Sequence, residues 1–322
     1  RGRAADLVMV GEQHATADIA IFATSFYTDI ADAGFGAYVA EIGPWSARLA
    51  EPYLEAGMAE FAAEARLRAG GLGYPFLFFT EDAELARAVV THPAAAETAL
   101  WGVDQVFVAA GPILAPWISA RAETPEQIEA AVAFEEAVVA NPMAIGAGPG
   151  DVLAMLETAF ADHFDVAELA SAMRLSNEIY APFTGRGGSG YLANHARENW
   201  MRDRFLQHVA RARAEGDMPD RLFFKFGGNH AMRGRTLTHV MGFGGFVEEW
   251  GRSQGLSYFG LMAECRGGEA RNPQSGEVVP CESYIVGADT LLGQSLPEGA
   301  VVVDLVALRV AAIAARAYLD PQ

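Results

Sequence analysis

The sequence predicts an α/β protein: a mostly parallel sheet flanked by helices, with a helical insertion or cap. Three observations lead there. Short apolar runs alternate with longer amphipathic ones, which is the βα rhythm of a parallel sheet. Residues 107–215 break that rhythm, with helices and turns but no convincing strand. The βα rhythm then resumes at Arg221. The expected organisation is therefore an α/β core from residues 1–106 and 216–322, with 107–215 a helical insertion or cap whose last helix returns to the core.

The elements follow in order. Asp6–Val10 reads as a strand, and Ala15–Ala33 as a helix stopped by Gly34. Gly36–Ile42 is a second strand. Pro44–Ala69 is helical, with the proline near the start, where its missing N–H costs nothing. Gly70–Pro75 is a loop, Glu81–Thr91 a helix closed by Pro93, and Thr98–Val103 a third strand. Glycine-rich stretches at Gly146–Gly150 and Gly185–Gly190 punctuate the helical segment. Arg221–Phe226 is a strand, and Leu256–Ala263 and Ala300–Asp304 are later strand candidates.

Composition narrows the function classes. The 322 residues include 23 Lys plus Arg against 41 Asp plus Glu, a formal net charge of −18. Nucleic-acid binding needs a basic surface to displace counterions, and docking on an anionic membrane needs the same sign of charge, so neither partner is expected. Hydrophobic residues make up 51%, enough for a sizeable core. No membrane span is expected, because the most apolar stretch, Val301–Leu319, is interrupted by Asp304, Arg309 and Arg316. Lys225 is the single lysine, and no G-x-x-x-x-G-K-[ST] phosphate loop exists. Cys265 and Cys281 flank a segment of loop composition; a disulfide between them and two unrelated thiols are both open. A disulfide would suit an exported protein, periplasmic or secreted, which is the expectation here, with the cytoplasm as the alternative.

Four polar clusters occupy equivalent places. Gly11-Glu-Gln-His14 follows the first strand, Glu41 ends the second, Gly102-Val-Asp104 closes the third, and Gly227-Gly-Asn-His230 follows the strand at 221–226. Ligands of open α/β sheets bind outside the carboxyl ends of the strands. Glu12, His14, Glu41, Asp104, Asn229 and His230 are thus expected along one edge, although each alone would serve as a helix cap or solvated loop residue. Two histidines with carboxylates can hold a divalent metal. They can equally form a general base with an orienting carboxylate. The sequence does not separate these.

Together with the helical Arg197-Glu-Asn-Trp-Met201, these motifs resemble the erythromycin esterase, ChaN and TIKI superfamily, over residues 6–106 and 190–264. The resemblance implies an α/β sandwich with helical insertions. It implies hydrolysis of an ester, lactone or peptide bond by a histidine- or metal-activated water, on a small-molecule or peptide substrate. The alternative it carries is a non-catalytic haem- or metal-binding protein like ChaN. His14 would be base or ligand, with Glu12 and Glu41 orienting it or completing a metal shell. His230 and Asn229 would ligate or stabilise an oxyanion, and Arg197 would neutralise developing charge. Asp104 would position a histidine. If a divalent ion is present (Mn, Co or Zn), its ligands would be His14, Glu41 and His230. The sequence departs from the esterase branch at Gly228, where a further histidine is usual.

Other residues compete for a role. Gly185-x-Gly-x-x-Gly190 follows a helix rather than a strand, so it lacks the geometry of a dinucleotide cradle and reads as a mobile loop near the site. His195 and Glu198 share a helix face. Only one of that face and the Arg197 face is expected to point squarely inward, and Arg197 is preferred. Glu198 and Lys225 are kept as substrate-binding candidates; the lysine stem is expected to snorkel at an exposed strand end, the alternative being a pair with a site carboxylate. His92, His163, His208 and His239 are isolated. Part of the Tyr74–Phe79 run could wall an apolar pocket. There is no G-x-S-x-G elbow for a serine nucleophile.

Overall fold

The computed structural model describes residues 1–69, 74–148, 150–272, 277–283, 289, 291–297, 301–305 and 307–308. Its centre is a sheet of β1 (Leu7–Glu12), β2 (Phe35–Ala40), β3 (Leu100–Gly102), β4 (Arg221–Gly227) and β5 (Tyr258–Ala263). Their spatial order is β3-β2-β4-β1-β5, and every pairing is parallel. β1 and β2 are buried at every position, which is why they read as continuous apolar runs rather than alternating ones.

The helices are α1 (Ala17–Ile30), α2 (Pro44–Ala56), α3 (Met58–Ala69), α4 (Thr80–Val90), α5 (Gly111–Ser119), α6 (Pro125–Ala140), α7 (Ala144–Ala147), α8 (Gly150–Ala159), α9 (Phe164–Tyr180), α10 (Gly190–Glu215), α11 (Gly228–Ala231), α12 (Phe243–Ser253) and α13 (Leu291–Ser295). One face of the sheet, with Val8, Val10, Tyr38 and Phe223, shares a continuous apolar cluster with α1, α2 and α4 and with Phe134, Leu156, Phe160 and Leu169 of the helical segment. The other face, with Met9, Val39, Phe224 and Phe226, packs on Met201 and Phe205 of α10 and on Phe243 and Val247 of α12.

β4 arrives late in the chain yet lies between β2 and β1. The chain leaves β1 toward one side of the sheet and leaves β4 toward the other. The carboxyl ends of those two adjacent strands therefore form a topological switch point, where α/β sheets open a crevice.

Three details differ from the sequence reading. The predicted helix over 44–69 is two helices, because Gly57 at φ 148° breaks the path between α2 and α3. The predicted strand at 300–304 does not form: Val301–Asp304 is without strand structure and pairs with no strand among the described residues, and Val302 is 86% exposed, while Ala300 lies outside the described residues. The stretch read as loop between the cysteines contains a small antiparallel pair, β6 (Glu269–Arg271) with β7 (Val278–Pro280); of the two alternatives left open for Cys265 and Cys281, the disulfide is the one observed. Among the described residues no helix is long and apolar enough to cross a membrane.

Candidate functional site

The first motif leaves β1 with Glu12 at its last position and His14 in the turn beyond. His14 Nδ1 lies 2.9 Å from Glu12 Oε1. A carboxylate only accepts, so Nδ1 carries the proton of this bond and Nε2 is left with its lone pair. The other Glu12 oxygen, Oε2, is 2.6 Å from Lys225 Nζ, and that ammonium also donates to Asp82 Oδ1 at 2.7 Å. The second motif leaves β4 through the single turn α11, where His230 Nδ1 is 2.7 Å from Glu198 Oε1 on α10. Both histidines are thus anchored at Nδ1 by a carboxylate. Both turn Nε2 toward Glu41, at 3.6 Å from Oε2 for His14 and 3.5 Å from Oε1 for His230.

Glu41 sits between them, just past β2. Its Oε2 accepts the Gly227 backbone N–H at 2.6 Å and its Oε1 accepts Arg197 Nη2 at 2.8 Å. Arg197 also grips Asp104 with both ends of its fork, Nε to Oδ1 at 2.9 Å and Nη2 to Oδ2 at 2.6 Å. That bidentate geometry is one a lysine could not supply. Trp200, one turn further along α10, donates its indole N–H to the Asp104 backbone carbonyl at 2.9 Å and fixes the helix to the end of β3. Glu12, Glu41, Asp104, Glu198, Lys225 and His230 are buried, whereas the His14 side chain is 33% exposed. His14 is therefore the imidazole that solvent reaches. Phe76 stacks on it with ring centroids 4.3 Å apart.

The charges set each group's proton affinity. Burial would raise Glu41, but His230, His14, Arg197 and the Gly227 N–H outweigh it and hold its pKa at about 2. Burial likewise opposes the ionisation of Glu12, and Lys225 and His14 more than offset it. Burial pulls His14 down, yet the charge of Glu41 and the hydrogen bond to Glu12 bring it above the usual histidine value. Lys225 and Arg197 are both pushed upward, because their carboxylate partners outweigh desolvation, and both stay cationic.

All four polar clusters named from the sequence thus meet at the carboxyl edge. Several expected partnerships are nevertheless different. Arg197 and Glu198 both point inward, so the expectation that only one helix face would do so is corrected: α10 lies across the site, and neighbouring side chains reach Glu41 and His230 on either side. His195 does not join Glu198; it is exposed and lies 3.2 Å from Asn199. Lys225 does not snorkel but is enclosed by two carboxylates. Asp104 holds Arg197 rather than a histidine. Asn229 Oδ1 accepts the Leu237 N–H at 3.1 Å, in its own loop.

Sequence reasoning missed Asp82 and the reason for Gly227. Asp82 lies in the first turn of α4, where an acid is also what the helix dipole favours, so nothing marked it. Gly227 has no room for a side chain: a Cβ there would lie 2.4 Å from His14 Nε2 and 3.3 Å from Glu41 Oε2.

The donor set fits a metal poorly. Glu41, the expected shared ligand, already accepts a guanidinium and a backbone N–H, so the fixed charge of Arg197 stands where an ion's charge would act. Among the described residues, no three His, Cys, Asp or Glu side chains are arranged to hold an ion.

Fold and site define a parallel α/β protein with a histidine–carboxylate centre at the carboxyl edge of its sheet. In fold it is similar to a histidine-to-asparagine mutant of the erythromycin esterase EreC in its open conformation, with a TM-score of 0.56 and 15% identity, over 90% of this chain and 79% of that one. It is also similar to a succinoglycan biosynthesis protein, with a TM-score of 0.52 and 13% identity, over 86% of this chain and 70% of that one. No family model and no curated protein matches the sequence. The parallel sheet with flanking helices expected from the βα rhythm is the fold observed.

Proposed function

We propose that this chain is a hydrolase that cleaves an ester or lactone bond of a small-molecule substrate with a water activated by His14. The observation that carries the reading is His14 itself. It is the half-buried imidazole of the site, more open than the buried His230, its Nδ1–H is held by Glu12, and its Nε2 is left as a base beside the fixed charge of Arg197. The fold shared with an erythromycin esterase supports the ester or lactone over a peptide bond.

In this mechanism Nε2 takes a proton from water as the water oxygen attacks the acyl carbon. Glu12 and Glu41 stabilise the imidazolium that forms. Arg197, with a side chain 20% exposed, stabilises the negative charge developing on the acyl oxygen. The tetrahedral species collapses, and the leaving alkoxide takes the proton back from Nε2. His230, buried and held by Glu198, shapes the field around Glu41. Residues 107–215 act as a cap whose last helix supplies Arg197 and Glu198. The disulfide supports export.

His14→Ala is the direct test, read on p-nitrophenyl esters and macrolide lactones. Turnover should vanish while the melting temperature and circular dichroism stay near those of the parent chain. Retained turnover would overturn the mechanism. The parent's kcat/KM should rise with pH through a limb above 6.5, because His14 acts only when neutral and its environment holds the proton past the usual histidine value. Elemental analysis showing one Mn, Co or Zn per chain, with activity following the ion, would replace the histidine base with a metal.

A further inference from the structure

Lys225 sits in the middle of the sheet, beside Val10 of β1 and Ala40 of β2, on the face lined by Val8, Val10 and Phe223. A lysine there is costly to bury, and an aliphatic residue would fill the same space without charge. Its ammonium reaches past that apolar layer to two carboxylates, Asp82 Oδ1 at 2.7 Å and Glu12 Oε2 at 2.6 Å. Neither contact faces solvent, since Lys225 is 3% exposed. The mechanism above makes no direct use of this cation. Yet it continues, atom to atom, into the base: Asp82, Lys225, Glu12, His14.

We propose that Lys225, held by Asp82, is a positioning residue that selects the tautomer of His14. This rests on His14 acting as the base. The ammonium can only donate, so it fixes Glu12 Oε2 as an acceptor and keeps Glu12 a carboxylate. Oε1 must then accept from His14 Nδ1, which puts the ring proton on Nδ1 and the lone pair on Nε2. Were Glu12 protonated, its O–H could donate to Nδ1 instead, the ring proton would move to Nε2, and Nε2 would have no lone pair with which to act as the base. The charge of Lys225 is the largest influence countering the effect of burial on Glu12.

Glu12→Gln in the full chain turns this into a test, because a glutamine amide has one accepting and one donating end. If Lys225 claims the accepting end, the NH2 must face Nδ1 and donate to it. His14 should then become the Nε2–H tautomer. Long-range ¹H–¹⁵N spectra of histidine-labelled protein read this directly, with the His14 signals assigned through His14→Asn. Turnover should fall about 10²-fold with KM little changed. In Glu12→Gln with Lys225→Met, the amide is released to rotate. The Nδ1–H tautomer should return, and turnover should exceed that of Glu12→Gln alone.

An Nδ1–H tautomer in Glu12→Gln would overturn the proposal, and so would a double variant that folds yet keeps the Nε2–H form. The spectra need no substrate. If the tautomers switch as stated but no ester is cleaved even by the parent chain, the positioning role stands and the hydrolase reading falls. If esters are cleaved and the tautomer ignores Lys225, the reverse holds.

Discussion

Gly227 and His14 lie against each other at the end of β4, and their contact sets the place of the base. Alanine at 227 would drive its Cβ to 2.4 Å from His14 Nε2, a distance real side chains do not adopt, so the imidazole must swing away. Misplacing a catalytic group by about 1 Å can cost about 10²-fold in rate. Gly227→Ala should therefore lose about that factor in kcat, with an overpacking cost of roughly 1–3 kcal/mol seen in urea unfolding. A variant with parental kcat would show that Nε2 is not the working atom. Much of this site was legible from strand ends alone: Glu12 ends a strand, His14, Glu41, Asp104 and His230 each lie just past one, and the sheet edge gathers them. The pairings were not legible. Which carboxylate meets which imidazole depends on side-chain reach across elements, and Asp82 on α4 looks from sequence like any acid at the start of a helix. Lys225 was conspicuous as the single lysine, but its partners lie on β1 and α4, far away along the chain.

At the scale of elements, the edge strand β3 shows how a buried acid is used structurally. Glu51 of α2 accepts the backbone N–H groups of Ala99 and Leu100 at 2.6 and 3.0 Å, satisfying the buried start of this edge strand. Burial outweighs these bonds and lifts its pKa from 4.5 to about 7. The folded chain thus holds this proton where the unfolded chain has lost it, so stability falls as pH rises from 4.5 toward 7. Glu51→Gln keeps the accepting oxygen and removes the charge. It should flatten that decline and gain on the order of 2 kcal/mol at pH 8, measured by denaturant unfolding across pH. An unchanged pH dependence would mean Glu51 is not its source. The same scale explains the misjudged helix faces. Consecutive residues of α10 diverge by about 100°, but a helix laid over the site rather than beside it presents both to the interior. The disulfide also acts locally: Gln13, between Glu12 and His14, donates to the Glu282 carbonyl at 2.9 Å, tying the first motif's turn to the cross-linked segment.

For the whole molecule, the alternation of short apolar runs and helices was enough to predict a parallel sheet, and the pause over 107–215 was enough to predict helices there. Strand order was not readable, because nothing in a strand's own residues names its neighbours. The strand that resumes after the helical segment could have extended an edge; instead β4 lies between β2 and β1. That placement makes the sheet indivisible. A fragment of residues 1–215 contains β1 and β2 but not the strand that pairs with both. It should show little cooperative thermal unfolding and should self-associate in size-exclusion chromatography, and a monomeric, cooperatively folded fragment would contradict this.

The late position of β4 also bears on how the chain is made. During synthesis, everything from Ala40 to Arg221 must leave the ribosome before the sheet can close. Until then β1 and β2 wait with open hydrogen-bonding edges and apolar faces, the condition in which nascent chains aggregate. Closure pairs segments far apart in sequence, which makes it slow. The insertion of β4 joins β1 to β2 and brings Gly227 against His14 and Lys225 against Glu12, and β5 then covers the remaining edge of β1. The protein therefore gains its protection from aggregation and its assembled site together, late in synthesis, as β4 and β5 dock on β1.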